Sequence, residues 1–212
     1  MQYISTRSNY DKVSVIEAIK IGMVPEGGLF VPEYIPRLSE QELENLVNRN
    51  YQEIAAKILS MFLTDFTLEE IEDCINNAYN QEKFDNIEIA PLHKLTGNTH
   101  ILELWHGPTA AFKDMALQIM PYFLSLAMEK MSSDEEVVIL VATSGDTGKA
   151  ALEGFKNVEG VNVMVFYPHG GVSPIQRLQM VTQRGKNIFV AAIKGNFDDA
   201  QAGVKEIFAD EA

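Results

Sequence analysis

The chain has 212 residues, 46% hydrophobic and 22% charged, the balance of a globular protein with room for one or two domains. A formal net charge of −13 argues against a nucleic-acid surface, which needs clustered Lys and Arg. Apolar runs are strand-sized, as at Val137–Ala142, so no membrane span is predicted. Cys74 is the only cysteine, which excludes an intrachain disulfide and a cysteine-rich metal site. Met1 opens directly into Gln2-Tyr3-Ile4-Ser5-Thr6-Arg7, without the apolar core of a signal peptide, and a cytoplasmic location is expected.

Residues 1–90 are predicted to form a mainly helical cap domain. Ser14-Val15-Ile16-Glu17, Ser39-Glu40-Gln41-Glu42 and Thr67-Leu68-Glu69-Glu70 all have the spacing of a capping box. Ile54, Ile58 and Met61 fall at helical intervals, as do Leu68, Ile71 and Ile75. Pro25-Glu26-Gly27-Gly28 and Pro32 bracket a turn and a short extended piece, Leu29-Phe30-Val31.

After Pro91 the pattern changes, and residues 91–212 are predicted to form a parallel α/β lobe. Thr99 to Leu104 reads as a strand, followed by a helix running from the Lys113 segment towards Lys130. Buried-type strands are predicted at Val137–Ala142, Val161–Phe166 and Ile188–Ile193. Each leads into a helix: Thr147 to Lys156, Ser173 towards Arg184, and Asp198 to the chain end. This alternation implies parallel strands with helices packed on them, and ligands bind such sheets at the carboxyl ends of the strands.

His106-Gly107-Pro108-Thr109-Ala110-Ala111-Phe112-Lys113-Asp114 sets one lysine among small and apolar residues, just inside a predicted helix start with Pro108 in its first turn. A lysine so placed is either a solvated surface residue or an amine that attacks carbonyl carbon and forms a Schiff base. Thr143-Ser144-Gly145-Asp146-Thr147-Gly148 joins a strand to a helix, where small residues allow close approach and free N–H groups attract anions. It fails as a P-loop, with Thr143 where a glycine is required and Ala150 after Lys149. An amino-acid carboxylate or a polar ring substituent suits it better than nucleotide phosphate. Asp198 and Asp199 after Gly195-Asn196 read as helix caps. His93, His100, His106 and His169 have no zinc spacing, so no metal site is expected.

Together these motifs resemble threonine synthase in its longer, bacterial and fungal form. The Lys113 segment is similar to the family's cofactor-lysine motif, and Ala142–Gly148 to its substrate loop. Tyr3–Arg7, Pro25–Pro32, Tyr167–Ser173, Gln176–Met180 and Phe197-Asp198-Asp199 continue the likeness in order. The resemblance implies a fold-type-II pyridoxal-phosphate enzyme, with tryptophan synthase β-like architecture, that converts O-phosphohomoserine and water to threonine and phosphate. It implies that Lys113 holds pyridoxal 5'-phosphate as a Schiff base and moves protons between substrate carbons. Ser144, Gly145, Asp146 and Thr147 would face the substrate carboxylate and the cofactor ring oxygen, with Ser173 and Gln176 as candidates for the substrate phosphate.

The family's Gly/Asn-rich cup for the cofactor phosphate has no counterpart here, since Asp198 and Asp199 would repel a phosphate at Gly195-Asn196-Phe197. With about half the family's length, and an end at Phe208–Ala212 inside a helical pattern, the chain reads as an N-terminal portion, incomplete at its C-terminus and inactive alone. Two other readings stay open: a related phospholyase that eliminates phosphate without adding water, and a non-catalytic interaction domain on an old fold.

Overall fold

The computed structural model describes residues 1–209. Near the N-terminus, β1 (Tyr3–Ser5) pairs antiparallel with β2 (Phe30–Pro32), with α1 (Val15–Ile21) between them in sequence. Helices α2 (Glu40–Leu46), α3 (Tyr51–Phe62) and α4 (Leu68–Ala78) follow. The capping boxes expected at Ser14/Glu17, Ser39/Glu42 and Thr67/Glu70 all form. In each, the cap hydroxyl accepts the glutamate's backbone N–H while the carboxylate accepts the N–H of the cap residue, satisfying two donors that a helix start leaves open. Asn50 and Glu53 do the same for α3.

Beyond Pro91, β3 (Leu92–Thr96) and β4 (Thr99–Leu102) form an antiparallel hairpin, bulged between Lys94 and Thr96 and exposed at every residue. Only the second of these strands is evident from the sequence. Two helices, α5 (Asp114–Leu117) and α6 (Met120–Lys130), replace the single helix expected here. Pro121 accounts for the break, because it has no N–H to offer the Leu117 carbonyl one turn back.

Three βα units complete the described chain: β5 (Val137–Ala142) and α7 (Asp146–Phe155), β6 (Val161–Pro168) and α8 (Pro174–Val181), β7 (Ile188–Ile193) and α9 (Phe197–Ala209). The strands lie parallel in the order β5-β6-β7, the α/β arrangement expected from the sequence. Val161, Val163, Val165 and Tyr167 of the central strand are buried in strict alternation, and α7 packs on β6. Parallel strands bring the turns after β5, β6 and β7 to one edge, which is where ligands bind in such sheets. The end of the last predicted helix, residues 210–212, lies outside the described residues. Among the described residues no helix is long and apolar enough to cross a membrane.

By packing, the chain forms two compact units. The first is Met1–Pro91 together with Tyr122–Ser133, so most of α6 belongs to it. Its core holds Val15, Ile71, Ile75 and Phe84, with Leu124 and Ala127 from α6, and Phe66 meets Phe123 at 5.6 Å between ring centres. The second is Leu92–Pro121 together with the described residues from Asp134 onward. It is centred on Leu152, Phe155, Val163, Val165 and Met180, and carries both sequence-predicted ligand motifs.

Candidate functional site

Lys113 is the residue that caps α5 rather than one inside it, because the helix begins at Asp114 and residues 107–113 form a turn. The cause is local. Asp114 is fully buried, and its carboxylate accepts the Thr109 N–H at 2.9 Å and the Thr109 hydroxyl at 2.7 Å. That folds the chain back on itself, with Ala110 in the left-handed region at φ 54°. Gly107 permits the fold, since a Cβ there would lie 2.6 Å from the Asp114 side chain. Burial pushes the Asp114 carboxyl above the usual carboxylate range, against the two Thr109 bonds and the nearby charge of Lys149.

The half-buried Lys113 amine lies 4.2 Å from the centre of the exposed Phe112 ring. Among the described residues it has no hydrogen bond or ion pair. His106, seven residues earlier, is engaged instead with Glu103, at 2.8 Å from Nε2 to the carboxylate, and its ring lies against Trp105.

The turn after β5 is built around the buried Thr143, whose hydroxyl oxygen accepts the N–H groups of Gly145 at 2.9 Å and Gly148 at 3.0 Å. The N–H groups of Ser144, Asp146 and Thr147 are left without an acceptor among the described residues, at the positive end of α7. Gly145 sits at φ 144°, and a Cβ on it would lie 2.6 Å from Gln176 Oε1. The Asp146 carboxylate accepts from Gln176 Nε2 at 2.9 Å and pairs with Lys149 at 3.4 Å. The Gln176 bond, then the charges of Lys149 and Lys113, hold this carboxyl below its ordinary range. Asp146 therefore stays ionised, with Lys149 partly balancing its charge.

Ser173 and Gln176, the candidates for the substrate phosphate, sit at the start of α8. Ser173 caps α8 and accepts the Gln176 N–H at 3.2 Å, while Gln176 Oε1 accepts the Ser173 N–H at 3.2 Å. With its amide nitrogen on Asp146, Gln176 has both ends of its carboxamide committed within the chain. It bridges the starts of α7 and α8, a role that the separation of 30 residues hides from the sequence. Thr109, Asp114 and Lys149 also belong to the site's framework and escape sequence reading, although Asp146 and Lys149 stand at the i,i+3 spacing of a helical ion pair.

The turn after β7 is closed on itself. Asn196 Oδ1 accepts from the Asp198 N–H at 2.7 Å and the Asp199 N–H at 3.1 Å, and the Asn196 N–H reaches the Asp199 carboxylate at 2.7 Å. These are the helix caps that the sequence suggests, and they leave no donor cradle for a phosphate. Among the described residues, no three His, Cys, Asp or Glu side chains gather as a metal site. For pyridoxal phosphate, the unpaired Lys113 amine and the open N–H groups of Ser144, Asp146 and Thr147 fit the aldehyde and the carboxylate-facing end. The self-capped 195–199 turn does not fit the phosphate.

A sequence profile for the threonine synthase N terminus matches residues 2–79. Threonine synthase from Pseudomonas aeruginosa is 41% identical over 212 residues, all of this chain and 44% of that protein. Threonine synthase-like 2 from Mus musculus is 37% identical, over all of this chain and 44% of its own length. Among solved structures, the PLP-bound threonine synthase from Brucella melitensis superposes with a TM-score of 0.90 at 33% identity, covering 100% of this chain and 45% of that one. The architecture is therefore that of fold-type-II pyridoxal-phosphate enzymes, and the chain spans less than half the length of the relatives it matches. Over its whole length the chain aligns with the N-terminal portion of threonine synthases, and residues 2–79 match the profile for that family's N terminus.

Proposed function

We propose that this chain supplies the lysine-bearing part of a pyridoxal-phosphate-dependent threonine synthase, a carbon–oxygen lyase that converts O-phosphohomoserine and water to threonine and phosphate. The observation that carries this reading is an unpaired lysine amine in the same compact unit as a turn with open N–H groups. Bound through its aldehyde, the cofactor supplies an electron sink for carbanions next to the substrate nitrogen.

The chain's own residues do the rest. Lys113 offers the amine that holds the cofactor and, once released, takes and returns protons at the substrate carbons. The N–H groups of Ser144, Asp146 and Thr147 orient the substrate carboxylate, with the α7 dipole behind them. Gly145 provides close backbone approach, and Gln176 holds Asp146 aside. A cytoplasmic setting accords with a sole, reduced cysteine.

Because the described residues provide no cradle for the cofactor phosphate, weak cofactor retention and no turnover are expected of the 212-residue chain by itself. Borohydride reduction with pyridoxal phosphate in excess should label Lys113 ahead of exposed lysines such as Lys94, and Lys113→Ala should remove that label. Preferential labelling of Lys149 would overturn the assignment. Threonine formed from O-phosphohomoserine by the purified chain would overturn the expected inactivity, and a keto acid with ammonia would point to the phospholyase reading.

A further inference from the structure

Lys149 is one of the few charged side chains buried in this protein, at 9% exposure, and no step above uses it. An ammonium taken out of water is costly unless its charge is matched, so its surroundings must supply an anion. They supply one directly, the Asp146 carboxylate at 3.4 Å, one helical turn earlier at the mouth of α7. A second anion comes from another element. Asp114 on α5 is fully buried and feels the Lys149 charge, and α5 packs against α7. The helices approach so closely that a methyl group at Gly154 of α7 would run into the Leu117 carbonyl of α5. Asp114 is also the group that shapes the Lys113 turn through Thr109. The lysine therefore pairs with the carboxylate at the ligand turn from a helix that packs on the one bearing Asp114.

We propose that Lys149 is a positioning residue: its buried ammonium braces Asp146 at the open end of α7, the helix that packs on the α5 turn bearing Lys113. The proposal rests on the reading that Lys113 and residues 144–147 form one site. Its chemistry is purely electrostatic, and Lys149 does not touch the substrate. A neutral side chain of similar length would fill the same space yet leave Asp146 with Gln176 alone.

Amide hydrogen exchange on the 212-residue chain tests this without any turnover. Lys149→Met should speed exchange at Gly145 and Gly148, whose N–H groups Thr143 holds, by about tenfold while Val163 in the central strand holds its protection, the mark of a local opening. Lys149→Arg should restore protection to within about twofold of the parent, since the charge is kept. Equal acceleration at Val163, or none at the turn, would overturn the brace, as would an Arg variant no better than Met. If the Met variant does not fold, acetylation of the unsubstituted chain decides: Lys149 should stay unmodified while exposed Lys94 reacts, and equal reaction would overturn the proposal. Trapping at Lys113 is read separately, so its failure alongside the expected exchange pattern removes the functional reading and leaves the brace standing.

Discussion

Replacing Thr109 with valine isolates one bond in the framework under Lys113. Valine keeps the side-chain shape and the backbone N–H that reaches Asp114, and removes only the hydroxyl that donates at 2.7 Å. The acceptor is a carboxylate with 0% exposure, so no water replaces the lost donor. A hydrogen bond to a buried charged group contributes about 1.5–3 kcal/mol, so Thr109→Val should destabilise the second unit by that amount. In a chain of this size that corresponds to a fall in Tm of roughly 3–12 °C.

The pH dependence has a definite sign. Asp114 already titrates above its ordinary value, so the folded protein binds that proton more readily than the unfolded chain, and the parent loses stability as pH rises through that range. The hydroxyl favours the anion, and removing it raises the folded value further. The deficit of the variant is therefore full at neutral pH and shrinks as the solution is acidified towards about pH 4. Trp105, the only tryptophan, lies in the second unit, so urea unfolding followed by its fluorescence reads the relevant part of the molecule. Thr109→Ser, which keeps the hydroxyl, should fall well short of the valine deficit. A valine variant within about 0.5 kcal/mol of the parent at neutral pH, or a deficit that grows on acidification, would refute the reasoning.

Gly154→Ala should lower stability by about 1–3 kcal/mol in the same assay, because the added methyl meets the Leu117 carbonyl, even though alanine is the better helix former by about 1 kcal/mol. A variant as stable as the parent would show that α5 and α7 can part. The Cys74 thiol is buried, and burial, with Asp73 and Glu70 nearby, pushes its pKa up to about 11. Its reaction with a disulfide reagent near neutral pH should be about 100-fold slower than that of a free thiol and recover in denaturant; fast labelling of the folded chain would contradict the packing of α4.

The βα series was legible in the sequence because its strands are continuous apolar runs and its helices start at small or capping residues. Three N-terminal helix starts were equally plain, since Ser or Thr three residues before Glu is a local signal. Asn50-Tyr51-Gln52-Glu53 carries the same chemistry with an amide as the cap and is easily passed over. Strand β3 was hidden because His93, Lys94 and their neighbours are all exposed, so no burial alternation marks it; Gly97-Asn98 at the turn was the available sign. At the candidate site, Lys113 and the 144–147 turn stand in recognisable motifs. Their framework does not: Asp146 to Gln176 is a tertiary pairing whose spacing follows no helical or strand period.

The first unit also has a consequence for how the chain comes to be folded. Its core is completed by Phe123, Leu124 and Ala127, which reach it only after residues 92–121 have been made, and those residues belong to the other unit. During synthesis, helices α1–α4 would leave the ribosome with Phe66 and the Glu70 carboxylate still waiting for Phe123 and Lys130, their partners in the finished unit. A cut after Pro91 would not release a self-sufficient cap but one lacking a wall. The two units are interleaved in the order of the chain, so no single break, whether by protease or by gene fusion, can separate them cleanly.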